Sequence, residues 1–360
     1  MNSYRWIEIT TFILIVLGLA ILASSGVVLS YKIYGNNYYY LKHQIFPGLL
    51  LGIAGFFIAR KIPHQKLKKI ALPLLVVTIA LLVAIFFDPV GFSFGGARRW
   101  IQLGGYSFQP AEILKISFVI YLAAWMEKRQ NTIRNISLGF LPFLVMSGII
   151  AFLLYLQPDF GTLGVILITG LLMFFVAGSK ITHIITTILL GIIFLIVSAK
   201  ISPYRFNRFL TFLNPEQDLL GIGYQINQAI IAIGSGGLFG LGIGQSRQKY
   251  NYLPEPIGDS IFAIASEEMG FIGALIIISL FLIFGYFGYK ISKNAPTEFG
   301  KLLGFGLTSW IVVQALINIT AISGLIPLTG VPLPFISFGG TSLIMALISV
   351  GIISNIAKRY

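Results

Sequence analysis

Acidic and basic side chains are scarce enough in this sequence to be weighed one at a time. Outside its short basic runs they gather at three places. The first is 94–115, FGGARRWIQLGGYSFQPAEILK. There Arg98 and Arg99 precede Trp100, and the i, i+3 spacing of Glu112 and Lys115 puts them on one helix face, close enough to pair. The arginines read either as a snorkelling pair beside an interfacial Trp or as a cationic rim for an anionic headgroup. The second is QPDFGT, 157–162. Asp159, after Gln157 and Pro158 and ahead of Gly161, suits a turn and helix cap. The third, 243–274, holds Arg247, Lys249, Glu255, Asp259, Glu267 and Glu268. Asp259 stands at the mouth of an apolar helix, where a cap is again the plain reading. Glu267 and Glu268 lie deeper in the apolar run and need partners or protonation. Lys115 or a rim arginine could supply one, and this cluster is the best functional candidate.

Other chemistries are poorly provided for. With no cysteine there is no disulfide, thiolate zinc site or cysteine nucleophile. His43, His64 and His183 are too scattered for a histidine metal site. The glycine-rich stretch 214–246 lacks the Walker lysine pattern of a phosphate loop.

The elements that must position these residues are membrane helices. Of 360 residues 56% are hydrophobic and 10% charged, whereas a soluble domain carries about 25% charged residues. Two water-facing domains could not be covered by so few charges, and disorder needs the opposite composition. A spanning helix needs roughly 20 mostly apolar residues. Ten segments qualify: about 7–29, 43–60, 69–87, 111–127, 137–156, 160–178, 182–199, 261–289, 299–322 and 335–356. The expected fold class is thus an all-α polytopic membrane protein of ten helices, one domain over 1–360, with a long external loop at 200–260. The stretch 323–342 has three prolines and four glycines. It reads as a broken segment, tolerated in a membrane only under cover of protein or a water cavity.

Sorting charges by side gives +12 for the side of both termini and +1 for the other, together the net +13. Positive residues in short loops stay in the cytoplasm. Both termini are expected there, and the basic balance marks topology rather than nucleic acid. All three polar clusters then face outward, at the end that carries the 200–260 loop.

The set GARRWIQLG, FQPAEILK, QPDFGT, GIGYQINQAIIAIGSGGLFGLGIGQSRQKYNYLPEP, FAIASEEMGFIG and GLIPLTGVPLPFISFGGTS resembles the SEDS family (shape, elongation, division and sporulation). These are the polytopic peptidoglycan polymerases of the FtsW, RodA and SpoVE type, and GQSRQKYNYLPEP looks closer to FtsW and SpoVE. The resemblance implies an inner-membrane, multi-pass glycosyltransferase that polymerises lipid II, with the catalytic region in the 200–260 loop. It places the family's essential aspartate on Asp259, expected to be the general base of an inverting transfer. The family usually has His or Gln, then Thr, then Asp-Phe, where Ile257-Gly258-Asp259-Ser260 stands here. The substrate-binding set expected around it is Arg98, Arg99, Trp100, Glu112, Lys115, Gln157, Asp159, Lys249, Glu255 and Glu268. Among these, Arg98, Arg99, Lys115 and Lys249 are the expected cations for the leaving pyrophosphate. No cofactor is certain, and a divalent cation, Mg²⁺ or Mn²⁺, is the alternative source of that charge. The implied partners are undecaprenyl-pyrophosphate-linked glycan, a class B penicillin-binding protein (transpeptidase) and other divisome or elongasome membrane proteins. The competing readings are a lipid-linked precursor flippase and a non-catalytic division scaffold. A transporter would hold coupling charges near the bilayer midplane, whereas these gather at one rim.

Overall fold

In lipid a segment must satisfy its own backbone polar groups, so long apolar runs become helices. The computed structural model describes residues 3–88, 90–94, 97–103, 106–201, 211–212 and 221–358. It opens with α1 (Ser3–Ser25) and α2 (Val27–Tyr34), followed by α3 (Tyr39–Lys61) and α4 (His64–Ala84). After a short sheet come α5 (Pro110–Lys128), α6 (Ile136–Leu156), α7 (Phe160–Val176) and α8 (Ile181–Ile201). Next are α9 (Ile222–Ser235), α10 (Ile261–Lys293), α11 (Glu298–Ile322) and α12 (Gly340–Lys358).

All ten apolar segments read from the sequence are helices. Among the described residues eight are long and apolar enough to cross a membrane: α1, α3, α4, α6, α8, α10, α11 and α12. The apolar α7 has 17 residues, and α5 carries Glu112, Lys115, Glu127 and Lys128 along its 19. The second segment, short in the sequence reading, begins earlier and runs 23 residues. It is broken at Phe46 (φ −116°, ψ 104°), because the residue before a proline avoids helical backbone.

The most enclosed of these eight spans is α11, which packs against α10, α7, α5 and α12. Its Leu303, Leu307, Trp310, Ile311 and Ala315 are all at most 1% exposed. At the opposite extreme, α8 leaves Ile185, Leu189, Ile193 and Ile196 exposed on the rim.

The outer connection after α4 is where the structure departs from an all-helical expectation. Strands β1 (Gly91–Phe94), β2 (Ala97–Leu103) and β3 (Tyr106–Phe108) form an antiparallel sheet in that order. Trp100 pairs with Phe92 and Ile101 with Phe108 across it. Gly-Gly pairs separate the strands in sequence, and the alternation is too short to stand out beside twenty-residue helices.

Ion pairs tie the basic end together: Arg60 to Glu8 at 2.9 Å, Lys68 to Glu127 at 2.5 Å and Lys301 to Glu298 at 3.4 Å. The sheet, the α6–α7 turn, the 243–260 loop and the 323–339 segment lie at the other end.

Candidate active site

The segment 323–339 is the hub of that end. It has no regular helix, yet its carbonyls are not left bare. Gln314 and Asn318, one turn apart on the same face of α11, donate to consecutive carbonyls: Gln314 Nε2 to Pro332 O at 2.8 Å, Asn318 Nδ2 to Val331 O at 2.7 Å. Asn318 Nδ2 also reaches the carbonyl of Asp259 at 2.8 Å. Further along, Phe338 N donates to Ile257 O at 2.8 Å and Ser337 Oγ to Gly258 O at 2.7 Å. Gln44 of α3 closes the network, donating to Ser337 O at 3.2 Å and accepting from Gly339 N at 2.9 Å. The backbone on both sides of Asp259 is therefore fixed by side chains of α3 and α11 and by the broken segment.

Asp259 itself is partly exposed. Gln225 Nε2 of α9 donates to its Oδ1 at 3.3 Å and to Ser260 Oγ at 3.0 Å. The carboxylate opens on a shallow pocket of about 140 Å³, lined by Asn318, Ala321, Ile322, Leu328, Thr329, Gly330 and Val331. Ser260, which stands where the family pattern has Phe, is fully buried and shares the Gln225 amide.

The QPDFGT turn abuts the same pocket wall. A methyl on Gly161 would lie 2.6 Å from Thr329 O and 2.2 Å from a Val331 methyl, so only glycine lets α7 approach the hub. Asp159 Oδ1 accepts from Thr162 N at 3.2 Å, the expected cap, while Oδ2 accepts from Gln109 at 3.3 Å. Gln157 is buried and donates to Leu82 O at 3.0 Å. Arg99 donates to the carbonyls of Gln157, at 3.0 Å, and Pro158, while Arg98 joins Gly91 O at 3.2 Å and Asp88. Both arginines and Trp100 keep partial access to solvent.

Lys115 and Lys249 do not sit on a rim. Lys115, 2% exposed, pairs with Glu112 at 2.7 Å, donates to Gln314 Oε1 at 2.6 Å and lies 4.9 Å above the Trp310 ring. Lys249, 5% exposed, pairs with Glu268 at 3.2 Å and donates to Ser24 Oγ at 2.9 Å and Gly244 O at 2.6 Å. The partner of Glu268 is thus Lys249, where the sequence suggested Lys115 or an arginine. Glu268 also accepts from Ser24 Oγ at 2.5 Å, and Glu267 from Ser246 Oγ and Arg247 N. Both carboxylates are spent holding the 241–249 loop. Near Asp259, Glu255 keeps an exposed edge, but its surroundings desolvate the carboxyl and hold its pKa above the ordinary glutamate range.

Among the described residues no three His, Cys, Asp or Glu side chains converge in a way that could hold a metal ion. A divalent cation arriving with phosphate groups would keep them as its main ligands. Gln225, Gln314, Asn318, Gln44 and Ser337 are site residues that the sequence reading did not single out. The available signal is a polar amide inside an apolar helix, which needs an internal partner.

Fold and site together define a polytopic helical membrane protein with a carboxylate held in an open pocket at one rim. The family model of the FtsW, RodA and SpoVE proteins, described as cell cycle protein, matches residues 5–360, and the chain belongs to that family. Stage V sporulation protein E of Bacillus subtilis is 39% identical over 354 residues, 97% of this chain and 95% of the relative. A protein of Trichlorobacter lovleyi named probable peptidoglycan glycosyltransferase FtsW is 38% identical over 340 residues, 94% and 89% of the two chains. A chain from a structure titled as the coordination of polymerization and crosslinking by a peptidoglycan synthase complex superposes with TM-score 0.80 at 25% identity, covering 98% and 97%. Rod shape determining protein RodA of Thermus thermophilus has the same fold, with TM-score 0.71 at 24% identity over 98% and 95%.

Proposed function

We propose that this chain is a peptidoglycan glycosyltransferase that polymerises lipid II, with Asp259 as the general base. The observation that carries the reading is the fixed, accessible Asp259. Its main chain is held by Asn318 and the 337–338 segment, its carboxylate is oriented by Gln225, and it borders a shallow pocket at the surface. Family membership and relatives named peptidoglycan glycosyltransferase support it.

In the transfer, the 4-hydroxyl oxygen of one lipid-linked disaccharide bonds to the anomeric carbon of another sugar chain. The bond from that carbon to the pyrophosphate oxygen breaks, undecaprenyl pyrophosphate leaves, and the hydroxyl proton passes to Asp259. One displacement inverts the α-linked donor to a β-linked product. A positioned base contributes about 10²–10⁴-fold, and fixed cations aimed at the leaving group lower the barrier further. With Lys115 and Lys249 enclosed and paired, that second role falls to Arg98 and Arg99. Lys115 and Lys249 act inside, setting the Gln314 amide and the 241–249 loop.

The polar rim faces outward across the bacterial cytoplasmic membrane, the basic end faces the cytoplasm, and ten helices cross. A class B transpeptidase is the proposed partner, and the superposed structure, titled for the coordination of polymerization and crosslinking, supports this. The test of the cations is lipid II turnover by charge-neutralised variants. Arg99→Gln is expected to slow transfer about tenfold or more; an unchanged rate and affinity in the Arg98→Gln, Arg99→Gln double variant would remove the cationic rim.

A further inference from the structure

The connection between α2 and α3, which no step above uses, is a run of tyrosines: YKIYGNNYYYLKH, 31–43. Its rings are ordered into a ladder. Tyr34 stacks on Tyr39 with centroids 3.5 Å apart and planes 13° from parallel, and Tyr39 stacks on His43 at 4.3 Å. Tyr40 stands edge-on to both Tyr34 and Tyr39, and edge-on to Phe338 at 5.0 Å. Phe338 is the residue whose backbone N–H holds Ile257 O, two positions before Asp259. A methyl placed on Gly26 would lie 3.5 Å from Ile257 Cγ2 and 3.8 Å from Tyr40 Cβ, so the ladder's inner rung and the Asp259 loop both lie against Gly26. The outer rung Tyr34 is 47% exposed, and Tyr31 and Tyr38, near it in sequence, are 65% and 49% exposed.

The composition of this patch separates it from a lipid-facing belt. Every residue from 31 to 38 is exposed, and among them stand Lys32, Gly35, Asn36 and Asn37, with Ile33 the one aliphatic side chain. Aromatic faces bordered by amides and ammonium groups are chemistry for an amino-sugar chain. The C–H face of a pyranose meets the negative face of an aromatic ring, and amides and ammonium groups pair with acetamido and carboxylate groups.

We infer that the 31–43 ladder is a binding platform for the nascent glycan strand, a polymer of N-acetylated amino sugars leaving the Asp259 pocket. This rests on the polymerase reading above. A strand held on the ladder stays near the pocket between couplings, so the platform sets strand length rather than the rate of a single coupling. Each lost ring is expected to weaken the strand's hold by about two- to tenfold.

The test uses the full chain with its transpeptidase partner, in two arms. In the first, lipid II is polymerised and strand length is read on gels. The Tyr31→Ala, Tyr34→Ala variant is expected to make strands severalfold shorter at an unchanged rate of first coupling, while Tyr34→Trp keeps wild-type length. In the second, the full chain is titrated with a soluble tetrasaccharide of alternating N-acetylglucosamine and N-acetylmuramic acid. Saturable binding that weakens in the double variant, and in Tyr31→Ala alone should the double variant fail to fold, supports the platform. Strands of unchanged length, or a flat titration with the wild-type chain, overturns it and returns the tyrosines to an interfacial belt. If the wild-type chain makes no strands at all, the polymerase reading fails by itself, and the titration still decides whether the ladder binds sugar.

Discussion

Asn318 spends one amide nitrogen on two carbonyls, those of Asp259 and Val331, and that shared donor makes it the strongest positioning residue of the site. Removing it leaves both oxygens without this donor and frees Asp259 to shift, and displacement of a working group by about 1 Å is enough to cost on the order of 10²-fold. Asn318→Ala is therefore expected to lower kcat by tenfold or more while the purified protein keeps its monodisperse elution. A fall in KM affinity alone would instead place Asn318 in substrate binding. Glu255 offers a pH test. Its carboxyl is raised by desolvation, so the folded state holds its proton to higher pH than the unfolded chain does. Stability contributed by this group is present at low pH and declines as pH rises through the ordinary glutamate range to the raised pKa. Glu255→Gln should raise the melting temperature at pH 7 relative to wild type, with the gap closing near pH 4. An equal gap at both pH values would show that the carboxyl is not desolvated.

At the scale of elements, α10 explains why Glu267 and Glu268 can lie in an apolar run. Thirty-three residues of helix would extend about 50 Å, well past a hydrocarbon core of about 30 Å. Gly270, at φ +68°, interrupts it, and a methyl there would come within 2.3 Å of Gly240 N. The exposed backbone is met by the loop: Phe271 N donates to Gly237 O at 2.8 Å and Leu241 N to Glu267 O at 3.0 Å. The paired glutamates then fasten 246–249 from below. Breaking one partner of a buried pair costs about 3–5 kcal/mol, so Lys249→Met should speed hydrogen exchange across 237–250 and lower the melting temperature. Replacing both, as in Lys249→Met with Glu268→Leu, should recover much of that loss, and no recovery would mean that the pair is not the fastening. The adjacent acids are legible in the sequence as needing partners, but Lys249 and Ser24 come from distant positions that no local spacing reveals. The same holds for Gln314 and Asn318. Their spacing marks a shared helix face, but nothing near them in sequence says that the face meets a proline-broken segment.

For the molecule as a whole, twenty-residue apolar runs fix helix positions because lipid leaves the backbone no alternative. All ten were readable for that reason, whereas the three-stranded sheet rests on three to seven residues per strand and was not. The sidedness of charge carries a test that the absence of cysteine makes clean. In intact cells a membrane-impermeant maleimide should label Asn36→Cys and leave Gln65→Cys unlabelled, and the reverse pattern would invert the orientation. Convergence is the other whole-molecule property. Glu112 and Lys115, Asp159, Glu268 and Asp259 are spread over more than 150 positions, yet the 323–339 segment and the 241–260 loop gather them at one end, with Glu112, Lys115 and Glu268 enclosed and Asp259 at the rim. The central claim is that this rim is organised around one working carboxylate. Purified chain with the class B transpeptidase proposed as its partner, given lipid II, should make glycan strands, and Asp259→Asn, which keeps shape and removes the proposed base, should lower the rate by about 10²-fold or more. Strand synthesis by Asp259→Asn within a few-fold of wild type would contradict it.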